Sequence, residues 1–150
     1  MTKEEIFKII NDNPVFYLAT CEDNRPRVRG MRLYRADENG IIFNTSTAKE
    51  LHRQLLKNPC VELCFYDSRE GIQIRIRGDV ALFEEESIKN EIAEKMPALK
   101  PLILGDGEKT LAVYHLAKGA VKVWKIDSDF APRIMAGSQL SSVWMALCGD

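Results

Sequence analysis

Apolar and polar residues alternate without exception over residues 72–77, Ile-Gln-Ile-Arg-Ile-Arg. A period of two is typical of a β-strand with one buried and one solvated face. We expect the strand to continue past Gly78 through Val80 and Leu82, with Gly78 at a bulge or at a close approach between two backbones. This segment decides the fold class, because much of the remaining chain repeats its character.

Other runs of strand-forming residues, separated by turn residues, lie on both sides of this strand. They are Val15–Thr20, Arg27–Ala36, Ile41–Thr45, Cys60–Tyr66, Leu111–Leu116 and Ala120–Ile126. The first three predict an antiparallel meander, and the last two predict a hairpin. With about six or seven short antiparallel strands, we expect a mainly β protein whose sheet closes into a barrel, because closure removes exposed strand edges.

Three segments predict helices. Residues 2–5, Thr-Lys-Glu-Glu, have the spacing of a capping box and begin a helix that ends near Asn13-Pro14. Apolar residues at helical spacing predict the other two helices at Ala48–Lys57, which would cover one end of the barrel, and at Glu84–Lys95. Residues 97–109 contain two prolines and a Gly-Asp-Gly turn, and they predict a loop around a short apolar segment.

Composition and charge limit the class of protein. The chain has 150 residues, of which 45% are hydrophobic and 29% charged, and these values predict one globular domain over residues 1–150. Residues 127–150 are poor in charge and predict either an arm packed on a partner chain or a locally packed tail. A net charge of −1 provides no global positive field for a nucleic acid, so any anion site is expected to be local.

The sequence shows no secretory signal and no apolar stretch of the roughly 20 residues that a membrane helix needs. We therefore expect a cytoplasmic protein with no membrane partner. The four cysteines are expected to be reduced and mostly buried as packing residues. Cys60 and Cys64 are four residues apart on one predicted strand, too far apart for a shared metal or disulfide, so no metal site is predicted.

Five arginines fall within Arg25–Arg35. Of these, Arg27 and Arg29 share a predicted strand face with Met31 and Leu33. A strand face that mixes cations with apolar side chains is either a solvated surface or part of an anion site, and the sequence leaves both readings open.

A phosphate site is the sharper of these hypotheses. Lys49 lies at the start of the second predicted helix, after hydroxyl side chains at Thr45 and Ser46, and a helix N-terminus offers N–H groups to an anion. Arginine captures phosphate with two parallel hydrogen bonds, and lysine adds a point charge. Arg29, Thr45, Ser46 and Lys49 therefore have the chemistry for one phosphomonoester. The glycine-rich loop of nucleoside triphosphate sites is lacking.

Several segments, in order, resemble the flavin-binding split barrels related to pyridoxamine 5′-phosphate oxidase. They are Phe16–Thr20, Pro26–Met31, Ile42–Lys49, Gln54–Leu63 and Ile74–Val80. The resemblance covers about residues 14–126. Among subgroups it is strongest to small bacterial proteins of the nitroimidazole reductase (Nim) type.

The resemblance implies a six-stranded antiparallel split β-barrel that forms a homodimer, with two FMN molecules in clefts between the subunits. Arg29 and Lys49 would contact the phosphate, Gln73 would reach the flavin ring, and Trp124 would lie near the flavin or pack on the sheet. The cofactor-binding residues that the resemblance implies are Arg27, Val28, Arg29, Gly30, Met31, Arg32, Asn44, Thr45, Ser46, Lys49, Gln73 and Trp124.

The activity that the resemblance implies is an FMN-dependent oxidoreductase. Electrons would pass from NAD(P)H or another reductant to a small organic acceptor, with nitroimidazoles as the specific candidate, and no side chain is predicted to act as acid or base. The alternative is a protein that holds FMN or haem without turnover. Nucleic-acid binding through the arginine strand is a third hypothesis, which the net charge opposes.

Two departures from the family pattern bear on the substrate. Pyridoxamine phosphate oxidases carry an Arg-x-His pattern near the C-terminus, whereas here Arg133 is followed by Ile-Met. We therefore do not expect oxidation of pyridoxamine phosphate. His52 and His115 match no family motif and are expected to be a surface helix residue and a strand residue with an ordinary hydrogen bond.

Overall fold

The computed structural model describes residues 1–104, 110–126 and 133–134. Their helices are α1 (Lys3–Asp12), α2 (Glu50–Lys57), α3 (Glu86–Lys95) and α4 (Lys100–Leu104), with a 3-10 turn at Pro97–Leu99. Their strands are β1 (Val15–Glu22), β2 (Arg25–Asp37), β3 (Gly40–Ser46), β4 (Cys60–Asp67), β5 (Ile72–Asp79), β6 (Ala81–Leu82), β7 (Leu111–Leu116), β8 (Ala120–Lys125) and β9 (Arg133–Ile134).

All of these strands join one curled antiparallel sheet in the order β6-β7-β3-β2-β1-β4-β5-β8-β9. The predicted class, a mainly β split barrel with a few helices, is confirmed. The described residues form nine strands rather than six, and two of them, β6 and β9, are only two residues long.

The long strand β2 connects the two halves of the sheet. Residues 25–32 of this 13-residue strand pair with β1, and residues 33–37 pair with β3. The register shifts between Leu33 and Arg35, and such a bulge bends the strand from one half of the sheet into the other. At the tight turn before β2, Asp23 and Asn24 have φ values of 49° and 60°, as a type I′ hairpin requires. The predicted meander β1-β2-β3 is therefore confirmed.

The predicted hairpin between the last two long strands is wrong. Strand β7 pairs with β3 and β6, whereas β8 pairs with β5 and β9. The turn residues 117–119 therefore connect the two halves of the sheet. This connection passes close to Gly78, where an added Cβ would lie 2.5 Å from the carbonyl oxygen of Lys118. The close backbone approach predicted at Gly78 is confirmed.

The predicted continuation of β5 through Leu82 is also wrong. Strand β5 ends at Asp79, and the backbone N–H of Val80 donates to the carbonyl oxygen of Pro59 at 3.0 Å. After Val80 the chain no longer pairs with β4, and Leu82 pairs instead with Tyr114 in β7. Alternation alone did not reveal the change of partner, because Val80 is buried and so continues the apolar pattern.

The main core lies on the concave face of the sheet, which we call the inner face. It contains the alternating apolar residues of the strands together with α1 and α2, notably Ile6, Ile10, Phe16, Leu18, Phe43, Leu51, Leu55, Leu63, Phe65, Ile74 and Ile76. The predicted capping box of α1 is confirmed, since the Thr2 hydroxyl accepts from the backbone N–H of Glu5. Helix α2 packs on this core through Leu51 and Leu55, and its predicted position over one end of the barrel stays a prediction.

A second core covers the opposite face of β3 and β7. It contains Ile42, Ile88, Ile92, Leu111 and Val113. Leu99 and Leu102 pack against it, and they explain why residues 97–104 form a 3-10 turn and α4 where a loop was predicted. Proline can occupy the first turn of a helix, so two prolines do not exclude these short helices.

The outer face of β2, β1, β4 and β5 carries exposed apolar side chains. Four of them, which we call the outer apolar patch, are Val15 (58% exposed), Tyr17 (58%), Val28 (65%) and Tyr66 (48%). The prediction of buried cysteines is wrong for the three described ones, which lie on this same face: Cys21 and Cys60 are exposed and Cys64 is only half-buried. Cys148 lies outside the described residues.

No helix in the described ranges is long and apolar enough to cross a membrane. Apart from β9, the segment 127–150 lies outside the described residues, so the arm-or-tail prediction stays a prediction.

Candidate functional site

A half-buried guanidinium group lies where β1, β2 and α2 meet. Arg29 donates from Nη1 to Oγ1 of Thr20 at 2.8 Å and to the carbonyl oxygen of Leu18 at 3.4 Å, and from Nη2 to Oε1 of Gln54 at 2.7 Å. The Thr20 hydroxyl donates to the same Oε1 at 2.9 Å. Strand alternation places Arg29 on the inner face, directly opposite Leu18. We call Thr20, Arg29 and Gln54 the Arg29 cluster.

All hydrogen-bond acceptors of Arg29 in this cluster are neutral. Within the described ranges no carboxylate oxygen lies within 4.0 Å of its guanidinium. Glu22, the nearby acid, instead pairs with Arg27 at 3.6 Å and Arg53 at 3.7 Å. Burial lowers the pKa of Arg29, as does the charge of Arg27, while Glu50 and Glu22 act in the opposite direction from farther away. The group stays charged at any physiological pH.

The Arg29 side chain also keeps unused donors. Its three hydrogen bonds to described residues use three of the five N–H groups of a guanidinium, so two have no partner in this part of the chain and can serve solvent or an anion. A cation held by neutral partners, with donors to spare, is suited to bind phosphate or carboxylate.

The turn before α2 holds the remaining predicted phosphate ligands. Helix α2 begins at Glu50, so Lys49 occupies the N-cap position and its side chain is exposed. The Ser46 hydroxyl accepts from the backbone N–H of Ala48 at 3.3 Å. Thr45 is only 5% exposed, and its hydroxyl oxygen has no hydrogen-bond partner among the described residues. Such a buried hydroxyl is a site at which an additional polar group would be stabilised.

A second group of predicted residues lies on the outer face, at the other side of the sheet. Gln73 in β5 lies directly opposite Trp124 in β8, and both are half-buried. With Arg75, Lys122 and Val123 they line a shallow cavity of about 330 Å³.

Gly30 also lies on the outer face, opposite Tyr17. A Cβ added at Gly30 would meet no atom of the described residues within 4 Å, and the φ of Gly30 is not in the left-handed region. The protomer itself therefore gives no packing reason for glycine at this position.

The predicted site residues thus divide between the two faces. Arg27, Arg29, Met31 and Thr45 share the inner face, while Val28, Gly30, Arg32, Gln73 and Trp124 share the outer one. Strands β1 and β4 lie between β2 and β5, a separation of about 14 Å at the usual strand spacing. One protomer does not bring Arg29 and Gln73 together.

The sequence reasoning missed Thr20 and Gln54. A signal for both was present, because each is a polar residue at a position where the pattern requires an apolar one. Thr20 continues the buried alternation of Phe16 and Leu18, and Gln54 lies on the stripe of Leu51 and Leu55. Both side chains are buried, at 4% and 2% exposure.

The two histidines lie in other contacts. His115 forms the ordinary hydrogen bond that we expected, with Nε2 lying 2.8 Å from the carbonyl oxygen of Asn39. His52 is half-buried rather than at the surface, and its Nδ1 lies 2.9 Å from the hydroxyl of Tyr114.

The curled sheet defines a split-barrel protein, and a half-buried arginine with neutral partners lies on its inner face. The family model for pyridoxamine 5′-phosphate oxidase matches residues 2–124, and the chain belongs to this family. A pyridoxine/pyridoxamine 5′-phosphate oxidase of Hyphomonas neptunium is 39% identical over 72 residues, which are 47% of this chain and 33% of that protein. The match thus spans about a third of the length of that curated relative.

Solved structures share the fold over most of the chain. A NimC/NimA family protein of Clostridium acetobutylicum superposes with a TM-score of 0.70 and 26% identity, covering 87% of this chain and 92% of that one. An FMN-binding protein related to pyridoxamine 5′-phosphate oxidase from Nostoc punctiforme gives a TM-score of 0.63 at 17% identity, covering 91% and 92%. A haem-binding protein of Mycobacterium smegmatis superposes with a TM-score of 0.67 at 16% identity, and the match covers 87% of this chain and 57% of that one. The last two similarities concern the fold alone.

Proposed function

We propose that this protein is an FMN-binding oxidoreductase that works as a homodimer, with each flavin in a cleft between two protomers. The observation that carries the proposal is the Arg29 cluster, in which a half-buried cation keeps free donors and has only neutral acceptors. A phosphomonoester supplies the negative charge that this arrangement lacks.

The neighbouring residues fit the FMN phosphate. Ser46 and the buried hydroxyl of Thr45 lie just before α2, and Lys49 is exposed at its first turn. We propose that Arg29 and Lys49 bind the phosphate, with Thr45 and Ser46 as additional ligands. Backbone groups of Gly30, Met31, Arg32 and Asn44 would lie along the flavin, and the open space beside Gly30 leaves room for it.

The division of the site between two faces supports the homodimer. Because Arg29 and Gln73 lie on opposite faces of one protomer, a ligand that touches both kinds of residue needs a second copy of the chain. The outer apolar patch surrounds Gly30 and offers the surface on which the second copy would pack.

The chemistry of this proposal belongs to the cofactor. When bound, FMN would supply hydride and electron-transfer chemistry between NAD(P)H and a small organic acceptor. The protein would fix the phosphate through Arg29, orient the ring through Gln73, and exclude water with Trp124 and the partner protomer. The sequence resemblance to nitroimidazole reductases of the Nim type, together with the structural similarity to a NimC/NimA family protein, favours a nitroimidazole as the acceptor. Its nitro group would gain two electrons and two protons, become a nitroso group and release water.

The first experiment tests cofactor and site together. The purified protein is titrated with FMN, riboflavin and haem, and flavin fluorescence and absorption spectra are recorded for the wild type and Arg29→Gln. We expect the wild type to bind FMN more tightly than riboflavin, and Arg29→Gln to weaken FMN binding by about tenfold to a hundredfold, the range for hydrogen bonds to a charged group. Binding of haem without flavin would overturn the proposal.

Turnover is tested separately with the FMN-loaded protein under anaerobic conditions. NAD(P)H oxidation is followed with and without a nitroimidazole. Oxidation that depends on the nitro compound supports the acceptor class. FMN binding without any such oxidation would leave a flavin-binding protein and refute the nitroreductase activity.

A further inference from the structure

We propose that Gln54 is a positioning residue that holds Arg29 in place for phosphate recognition without neutralising its charge. The inference rests on the proposed function, since it assigns a partner to the arginine of that same site. Gln54 is 2% exposed and lies on α2, an element separate from the strand that carries Arg29. Its side chain is the only one from a helix that accepts a hydrogen bond from Arg29 within the described ranges.

The hydrogen bonds of Gln54 fix the orientation of its amide. Oε1 accepts from Nη2 of Arg29 at 2.7 Å and from the Thr20 hydroxyl at 2.9 Å, while Nε2 donates to a carboxylate oxygen of Glu22 at 3.3 Å. A reversed amide would set N–H groups against the guanidinium and the carbonyl against the carboxylate. The surrounding charges therefore allow one orientation, in which the amide oxygen faces Arg29.

A neutral acceptor at this position has a consequence that a carboxylate would not have. A glutamate at residue 54 would form a direct ion pair with Arg29 and reduce the attraction of the site for an anion. The amide oxygen instead restrains the long side chain, so less conformational freedom is lost when phosphate binds. Glu22 forms no direct ion pair with Arg29 within the described ranges; its carboxylate instead pairs with Arg27 and Arg53.

The inference predicts a change in selectivity for phosphate. We define selectivity as the dissociation constant for riboflavin divided by that for FMN. Gln54→Leu removes the acceptor, and Gln54→Glu keeps an acceptor but neutralises the cation. We expect each to lower the selectivity by about tenfold or more, with the riboflavin dissociation constant unchanged. A purely structural role would raise both dissociation constants together.

A double-mutant cycle tests whether Gln54 acts through Arg29. Adding Gln54→Leu to Arg29→Gln should lower the selectivity no further than Arg29→Gln alone. Leu56→Gln is the matched control on the same helix, because Leu56 is 62% exposed and makes no part of the cluster. Circular dichroism shows which variants fold. If Gln54→Leu does not fold, the cycle is run with Gln54→Glu, whose side chain has the size of the native one.

The outcomes separate this inference from the proposed function. A wild type that binds neither flavin overturns both. A wild type whose selectivity is lost in Arg29→Gln but kept in both Gln54 variants overturns the role of Gln54 alone. Nitrogen-15 NMR spectra of the guanidinium groups give a readout that does not need flavin. Rotation about the Cζ–Nη bonds of Arg29 should be restricted in the wild type and faster in Gln54→Leu. Equal rotation in the two proteins also contradicts the inference.

Discussion

Replacing Tyr17 by glutamate should separate the proposed dimer and, with it, the flavin site. Tyr17 lies in the middle of the outer apolar patch, between Gly30 of β2 and Cys64 of β4, and 58% of its surface is exposed. The residue is not among the proposed flavin ligands. A loss of flavin binding in this variant would therefore report the loss of the partner protomer.

The magnitude follows from the exposed area. A tyrosine buries about 150–250 Å² when it is fully enclosed, so the exposed part of Tyr17 is on the order of 90–145 Å². At about 25 cal/mol per Å² this area contributes about 2–4 kcal/mol in each protomer, and a two-fold interface contains it twice. Because association recovers only part of such an area, we expect a loss of about 3 kcal/mol, roughly a hundredfold in the dimer dissociation constant.

The assay is sedimentation velocity over a range of protein concentrations, with FMN titrated into the same samples. Tyr17→Glu should be monomeric where the wild type is dimeric, and its FMN affinity should fall in parallel. Leu56→Glu is the matched control, since Leu56 has a similar exposure of 62% but lies on α2, away from the patch. It should remain dimeric and bind FMN normally.

Two results would refute this reasoning. A Tyr17→Glu protein that stays dimeric shows that the patch is not the interface. A monomeric Tyr17→Glu protein with unchanged FMN affinity shows that one protomer holds the flavin alone, and the division of the site between two faces would then have another explanation.

Two further predictions concern stability. Burial raises the pKa of Tyr114 to about 12, so stability that depends on its neutral phenol is complete below about pH 10 and is lost as the pH rises through about 12. Because Tyr114→Phe removes the hydrogen bond to His52, it should lower the free energy of unfolding at neutral pH by about 1 kcal/mol. Urea denaturation as a function of pH should also show a smaller alkaline decline in stability for this variant than for the wild type. An identical decline in the two proteins contradicts the assignment to Tyr114. Gly78→Ala should cost about 1–3 kcal/mol, because its Cβ would lie 2.5 Å from the backbone of Lys118. A Gly78→Ala melting temperature equal to that of the wild type would disprove the steric argument.

The strands were predictable because each alternates over its own length, and burial of one face is a local pattern. The pairing of the last two long strands was not predictable in this way. The turn residues 117–119 have the same composition whether they close a hairpin or connect two halves of a sheet. The choice is made by burial, because Val121 and Val123 of β8 complete the core beside Ile74 and Ile76 of β5.

In the candidate site, too, the local pattern was predictable and the contacts between distant segments were not. Alternation along β2 was sufficient to place Arg29 on the inner face. The partners of Arg29 were missed because Thr20 and Gln54 are far apart in the sequence and meet only when α2 packs on β1. The burial of the cysteines was mispredicted for a related reason. A period of two shows that residues share a face of the sheet, but it does not show whether another element covers that face. In one protomer the outer face is exposed, and Cys21 and Cys60 on it are exposed as well.

The positions of β7 and β8 also have a consequence for folding. One strand from residues 111–125 completes each half of the sheet: β7 lies beside β3 and β8 beside β5, and the first of these pairings joins residues as distant as Ile41 and Leu116. During synthesis neither half can form its full set of strand pairs until this late segment has left the ribosome. Nascent chains should therefore expose the apolar edges of β3 and β5 for most of translation, and a chaperone that binds such edges would act before residue 111 emerges.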